Sequence, residues 1–557
     1  MDKKKIVIVG GVAGGASAAA RLRRNDEHAE IVVLERGGYI SFANCGMPYY
    51  IGNVIPQRGS LLLQTPRSMK ERFNLDVRVR HEVLSIDRAH KSVRVRELET
   101  GEEYDESYDK LVLATGASPM KPPVKGMDHP KVFTVWSVPD TDRIKAQIEE
   151  SGARRAVVIG GGFVGIEMAE NLREYGLEVT LVEMLGQVMS FVDFDMAQIV
   201  HASLAAHRVA LRLGKAVEAI EEEAAGLSVR ISGGETLPAD LVIVAAGVRP
   251  NSTLAREAGL ETGKKGHVLT DAQLRTSDPD IYAVGDVIEV EDFVTKQKTA
   301  VPLAGPANKQ GRIAADNIAG GASVYSGAQG TSVAKLFELT VAATGLNEKK
   351  LLDLGKKPYA DYYAIYGHLA AHASYYPGSK PLHLKLFFDA QDGKVLGAQA
   401  VGEEGAAKRI DVIATAMRFG ATVYDLTELE LAYAPPYNTA KDPVNFMGYI
   451  AENILRGKVQ TIGWQEIEHL DLASYQLVDC RTPAEFSQGA IPGSVNVPLN
   501  ELRDRLGEID RDKNVVIYCK AGLRSYIGAR ILLQNGFERV RSLTGGWTTY
   551  DFAHFEV

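Results

Sequence analysis

Short, unbroken apolar runs punctuate the first half of the chain and recur in the same order twice. Ile6-Val7-Ile8-Val9, residues 31–34 and Leu111-Val112-Leu113 make one set; Ala156-Val157-Val158-Ile159, residues 179–182 and Leu241-Val242-Ile243-Val244 make the other. Apolar runs without polar alternation are the pattern of strands covered on both faces, as in a parallel sheet between helices. The first run of each set passes through glycines into a helical stretch, residues 16–24 in one and ending at Tyr175 in the other. This strand-turn-helix-strand order predicts an α/β fold with two similar, nested, doubly wound domains. Beyond residue 326 the pattern changes to strands at 332–336, 384–388 and 395–401 with a helix over 406–419, which reads as a separate α+β domain reaching residue 450. A linker over 451–465 and a last α/β unit over 466–557 complete the chain.

The glycines carry the first chemistry. Gly10, Gly14 and Gly15 follow the first strand, where glycine lets the backbone approach a pyrophosphate and the helix N-terminus supplies N–H donors. Val12 stands where the usual pattern has its middle glycine. Glu35 ends the next strand, placed to accept ribose hydroxyls. The second turn, with Gly160, Gly162 and Gly165, has no such departure. Glu183 follows at the distance of about 20 residues at which a carboxylate pairs with the adenosine ribose and repels a 2′-phosphate. Residues 184–187 contain no Arg, so NADH is the preferred donor and NADPH the alternative. Ala114, Thr115 and Gly116 end the matching strand of the first set. Gly285-Asp286 ends another, where Asp286 suits the ribitol chain of a flavin. Together these predict an FAD domain over 1–120 and 275–325, with an NAD(P)H domain over 121–274 between its parts.

The chain's 557 residues, 45% of them hydrophobic, fit three or four domains. A formal charge of -8 with no long basic run disfavours nucleic acid and anionic membrane as partners, so an anionic ligand needs a local cluster of cations. Met1-Asp2-Lys3-Lys4-Lys5 and the apolar stretch after it imitate a signal peptide, but the four glycines in that stretch argue against one. No apolar run reaches the about 18 residues of a membrane span. The three cysteines include no Cys-x-x-Cys pair, which points to a reducing, cytoplasmic setting and no metal.

One of the three, Cys45, sits alone between the two nucleotide turns in Ser41-Phe42-Ala43-Asn44-Cys45-Gly46-Met47-Pro48-Tyr49-Tyr50. A flavin and a nicotinamide feeding one isolated thiol point to reductive sulfur chemistry, with Cys45 as nucleophile and Asn44 and Ser41 positioning it or its substrate. Cys519 begins the loop Cys519-Lys520-Ala521-Gly522-Leu523-Arg524-Ser525, which surrounds a sulfur with backbone N–H groups and ends on a cation. Cys480 reads as the filler of a small buried position.

Over residues 1–450 these motifs resemble the flavoprotein disulfide reductases with two dinucleotide-binding domains, and within them the coenzyme A-disulfide reductases, which share Ser-Phe-x-Asn-Cys-Gly-x-Pro-Tyr. The resemblance implies FAD bound first and NADH or NADPH second, with a mixed disulfide formed between Cys45 and coenzyme A. It implies a homodimer in which Tyr375 and Tyr433 reach the partner's reactive sulfur and flavin. It also implies phosphate contacts from Arg21, Arg24 and Lys441, polar contacts from Ser17 and Asn308, and a place for Ala304 at the cofactor. The last hundred residues resemble the rhodanese domain, whose loop thiol, here Cys519, carries a persulfide, with Arg524 holding the loop or the sulfur donor. The expected activity is reduction of coenzyme A disulfide, coenzyme A persulfide or polysulfide by NADH. Two alternatives remain: an NADH oxidase or peroxidase working through a Cys45 sulfenic acid, and a flavin-based redox sensor.

Overall fold

The computed structural model describes residues 3–224 and 226–556. The chain divides into two compact units, Met1–Met184 with Arg212–Gln329, and Leu185–Leu211 with Gly330–Val557.

In the first unit, the strand Lys5–Val9 pairs in parallel with Glu30–Glu35 on one side and Lys110–Leu113 on the other. Asp76–Val79 and Ile281–Ala283 extend this sheet to five strands. Its central residues are buried, as unbroken apolar runs require, and the helix Ala13–Asn25 buries Ala18, Ala19 and Leu22. The helix begins three residues before the expected start, because Val12 takes an ordinary φ of -98° and caps it from within the glycine turn. The second copy places Arg155–Ile159 between Glu178–Glu183 and Leu241–Val244, with the helix Phe163–Tyr175 following the turn. A three-stranded antiparallel sheet accompanies each copy, one built from His81–Asp87, Ser92–Glu97 and Glu103–Ser107 and the other from Val217–Glu223, Gly226–Ile231 and Thr236–Ala239. Apolar runs do not announce these strands: one face carries cross-strand ion pairs such as Arg96–Glu103.

The second unit contains a five-stranded antiparallel sheet in the order Ser332–Leu336, Leu339–Gly345, Val395–Gly402, Pro381–Asp389, Tyr362–Ala370. The helix Ala406–Arg418 buries Ile410, Ile413 and Met417. Residues 185–211, inside the span read as NAD(P)H-binding, fold with this unit. The helix Phe194–Ala206 buries Met196, Val200 and Leu204 there, and the fully buried Lys385 ammonium pairs with Asp193 at 2.9 Å, Asp195 at 3.0 Å and Glu348 at 3.1 Å, Asp195 lying on that helix. A charge taken out of water is tolerated only when its partners come with it.

The segment read as a linker is largely regular. The helix Pro443–Leu455 runs into it, and Gln460–Ile462 is the edge strand of the last sheet, paired with Val540–Leu543 and anchored by the fully buried Ile462. That sheet is parallel, in the order Gln460–Ile462, Val540–Leu543, Asn514–Tyr518, Tyr475–Asp479, Ser494–Asn496. Among the described residues no helix is long and apolar enough to cross a membrane, and no three His, Cys, Asp or Glu side chains cluster as metal ligands.

Candidate active sites

The two glycine turns are built alike. Gly10 and Gly160 have φ of 101° and 104°. A Cβ on either would collide with a carbonyl of the neighbouring strand, that of Ala114 or of Ala245. A Cβ on Gly15 would strike the Gly10 carbonyl, and one on Gly165 the Gly160 carbonyl, so helix and strand meet at backbone contact. Val12 costs nothing because its φ is ordinary. Around Gly162 nothing stands within 4 Å of where a Cβ would be, leaving open space at the helix N-terminus. Each acidic strand end is held over its turn: the Gly11 N–H donates to Glu35 at 2.9 Å and the Gly161 N–H to Glu183 at 2.6 Å.

Residues brought to the first turn from far along the chain fit a flavin nucleotide. Gly285, with φ of 81°, donates its N–H to Gln310 at 2.7 Å and presents Asp286. Burial pushes the Asp286 carboxyl up, and a carboxylate at this strand end suits a polyol hydroxyl. Thr115 donates to the Asn251 carbonyl at 2.8 Å, and Gly116 takes φ of 63° to end the strand. The helix Ala304–Ile318 packs on Ala13–Asn25 where Gly311 meets the Gly14 carbonyl, and this brings Ser17 and Asn308 into a mutual hydrogen bond, with Ala304 exposed at the helix start.

Cys45 lies in a 3-10 turn, Asn44–Gly46, directly before the helix Met47–Ile51. The loop is tied to the glycine turn by the Ser41 N–H, which donates to the Gly11 carbonyl at 2.9 Å, with Ser41 itself at φ of 43°. The thiol is open to solvent yet crowded enough that desolvation is the first cause lifting it above the ordinary cysteine value, and the negative charge of Glu167 is the second. Glu167 is pushed up to about 7 by its own burial and by Glu170, against a hydrogen bond from the Tyr49 hydroxyl. Reading the sequence missed Glu167. Its one signal was an acid inside Ile166-Glu167-Met168, where both neighbours are buried.

The expected phosphate cations differ in availability. Arg21 is already paired with Asp316 at 2.6 Å, whereas Arg24 and Lys441 are exposed. Tyr375 and Tyr433 come together, hydroxyl to hydroxyl at 2.8 Å, with 74% and 48% of their surfaces exposed.

The second thiol site is closed. Cys519 is 2% exposed and follows the strand Asn514–Tyr518, and Gly522, at φ of 106°, turns the loop into the helix Leu523–Gln534 and donates its N–H to the Cys519 sulfur at 3.1 Å. The Trp547 N–H holds the Cys519 carbonyl at 2.7 Å. Arg524 forms a bidentate pair with Glu485, both bonds 2.7 Å, and its charge still interacts with Cys519 and Cys480. The Cys519 thiol is held down at about 5, first by a hydrogen bond from Cys480 and then, against desolvation, by Ser525 and the Ala521 N–H. Cys480 is buried as its residue type suggests, and Cys519 is the first cause that drives its thiol up.

Residues 4–311 match the pyridine nucleotide-disulphide oxidoreductase family, 331–443 the dimerisation domain of that family, and 465–552 the rhodanese-like domain. A coenzyme A disulfide reductase of Staphylococcus aureus (strain JH9) is 36% identical over 433 residues, covering 78% of this chain and 96% of that protein. The structure of reduced Bacillus anthracis CoADR-RHD is similar with a TM-score of 0.96 at 50% identity, covering 99% of this chain and 98% of that one. The NAD-dependent persulfide reductase of A. fulgidus gives a TM-score of 0.91 at 38% identity, covering 98% and 100%.

Proposed function

Because the chain belongs to the pyridine nucleotide-disulphide oxidoreductase family and carries a rhodanese-like domain, we propose that it reduces the sulfur–sulfur bond of coenzyme A disulfide, coenzyme A persulfide or polysulfide with NADH. Cys45 is the nucleophile, and Cys519 handles sulfane sulfur. The observation that carries this reading is the solvent-open Cys45 with no second cysteine in its unit, held by the same loop that touches the first nucleotide turn.

FAD and NADH, when bound, supply the two electrons. The Gly10 and Gly160 turns take the pyrophosphates, Glu35 and Glu183 the riboses, and Asp286 the ribitol. With coenzyme A disulfide, the Cys45 thiolate attacks one sulfur, the S–S bond breaks, and a coenzyme A thiolate leaves while the other half stays on Cys45 as a mixed disulfide. Two electrons and a proton reopen it to thiolate and thiol. Glu167, with its carboxyl near neutrality beside Cys45, is suited to hold that proton. A single thiol suffices because the substrate provides the second sulfur. The match to a dimerisation domain supports a homodimer, with the exposed Tyr375–Tyr433 pair serving the partner's site and Arg24 and Lys441 meeting coenzyme A phosphates.

Steady-state NADH oxidation with coenzyme A disulfide, coenzyme A persulfide, polysulfide, peroxide and oxygen side by side tests the reading. The sulfur substrates should give the highest kcat/KM. Peroxide or oxygen in first place would make the protein an oxidase or peroxidase, and no turnover with any acceptor would make it a sensor.

A further inference from the structure

The last sheet puts two of the chain's three cysteines side by side. The strands Tyr475–Asp479 and Asn514–Tyr518 are parallel neighbours in a register that pairs Asp479 with Tyr518. Cys480 and Cys519 are therefore the next pair across the ladder, and the Cys480 N–H continues it by donating to the Tyr518 carbonyl at 2.9 Å. Neighbouring strands lie about 4.8 Å apart, and residues opposite each other point to the same face. That spacing falls within the Cα separation of about 4.4–6.8 Å that a disulfide spans. Both thiols are free and almost wholly enclosed, 1% and 2% exposed, and Cys519 is the first cause that drives the Cys480 thiol up. A filler of a small core position has no need to aim its sulfur at a reactive one.

We propose that Cys480 is a resolving thiol, which converts a persulfide on Cys519 into free sulfide and an internal Cys480–Cys519 disulfide. This rests on the reading that Cys519 accepts sulfane sulfur. With thiosulfate as donor, the Cys519 thiolate takes the outer sulfur and sulfite leaves, giving Cys519–S–S⁻. The Cys480 sulfur then attacks the Cys519 sulfur, the persulfide bond breaks, and the outer sulfur departs with the Cys480 proton as HS⁻. Two electrons pass from the two cysteine sulfurs to the sulfane sulfur, so no outside reductant enters that step. Two equivalents of a monothiol then reopen the disulfide and become a thiol disulfide themselves. If that thiol is coenzyme A, the product is the substrate proposed for Cys45, and NADH becomes the final reductant of the sulfane sulfur. A fusion of the two domains in one chain then has a chemical purpose that needs no direct meeting of Cys45 with Cys519.

The test loads the full-length protein anaerobically with one equivalent of thiosulfate, without thiol or NADH. Sulfite and sulfide are quantified, and acid-quenched, non-reduced peptides are read by mass spectrometry. Sulfide should match sulfite, and the Cys480 and Cys519 peptides should be found linked. In Cys480→Ala and the bulkier Cys480→Val, the sulfide released per sulfite formed should fall by about tenfold or more, and Cys519 should retain an added sulfur until a monothiol is supplied. The linked peptide in the parent protein depends on no variant and so guards against misfolding. A parent that keeps its persulfide unlinked, a Cys45–Cys519 link, or equal sulfide release from the variants overturns the proposal alone. Absence of sulfite overturns it together with the reading of Cys519 as a sulfur acceptor.

Discussion

The Cys519 thiol is held well below the ordinary cysteine range, and Cys480→Ala is the substitution that probes why. The hydrogen bond from Cys480 is the first cause holding this thiol at about 5 rather than the ordinary 9.0, and it acts against desolvation. Four pH units correspond to about 5 kcal/mol of preference for the thiolate. A folded value below the unfolded one means that the thiolate contributes stability in full above pH 9 and loses it as pH falls through about 5, leaving about 3 kcal/mol at pH 7. The assay is thiolate absorbance near 240 nm from pH 4 to 10 in a Cys45→Ser background. Cys480 is driven upward by Cys519 and by burial and stays protonated, so one transition should be seen. Its midpoint should lie near 5 with Cys480 present and move upward in Cys480→Ala, lowering the thiolate fraction at pH 7. A midpoint near 9 in the parent, or no movement in the variant, refutes the reasoning.

Four further outcomes follow from other parts of the chain. Cys45→Ser should retain the nucleotide-binding fold and bound flavin absorbance while disulfide and persulfide reduction disappear in NADH assays; turnover with those substrates would contradict its role. Glu183 should set nicotinamide choice: kcat/KM should favour NADH, and Glu183→Arg should cost about 1–3 kcal/mol of NADH binding and shift preference toward NADPH. Glu167→Gln removes a negative charge that raises the Cys45 thiol, so the acidic limb of the pH–kcat/KM profile should move to lower pH, and a limb that stays in place or rises would show that the two groups do not communicate. Lys385→Met strands the Asp193 and Asp195 carboxylates in the interior and should cost about 3–5 kcal/mol of stability in denaturant unfolding, far more than Lys→Met at an exposed site.

What the sequence determined by itself is whatever depends on neighbours along the chain. Residues Ile6–Val9 and Ala156–Ile159 are strands because four consecutive apolar residues must be covered on both faces. Gly10, Gly15, Gly160 and Gly165 are where they are because a Cβ would strike a carbonyl, and Glu35 and Glu183 meet their turns because strand length fixes the spacing. Cys45 and Cys519 stood out for the same local reason, each in a short segment of unusual composition. The tertiary structure decided what depends on strand order, register and burial. It brought Glu167, from the helix after the second turn, within electrostatic reach of Cys45, and it packed residues 185–211 into the second unit, where Asp195 pairs with Lys385. It also made Cys480 the cross-strand neighbour of Cys519. No spacing along the chain encodes that pairing, because a parallel ladder joins strands that the chain visits far apart, and one residue of slip in the register would turn the two thiols to opposite faces of the sheet.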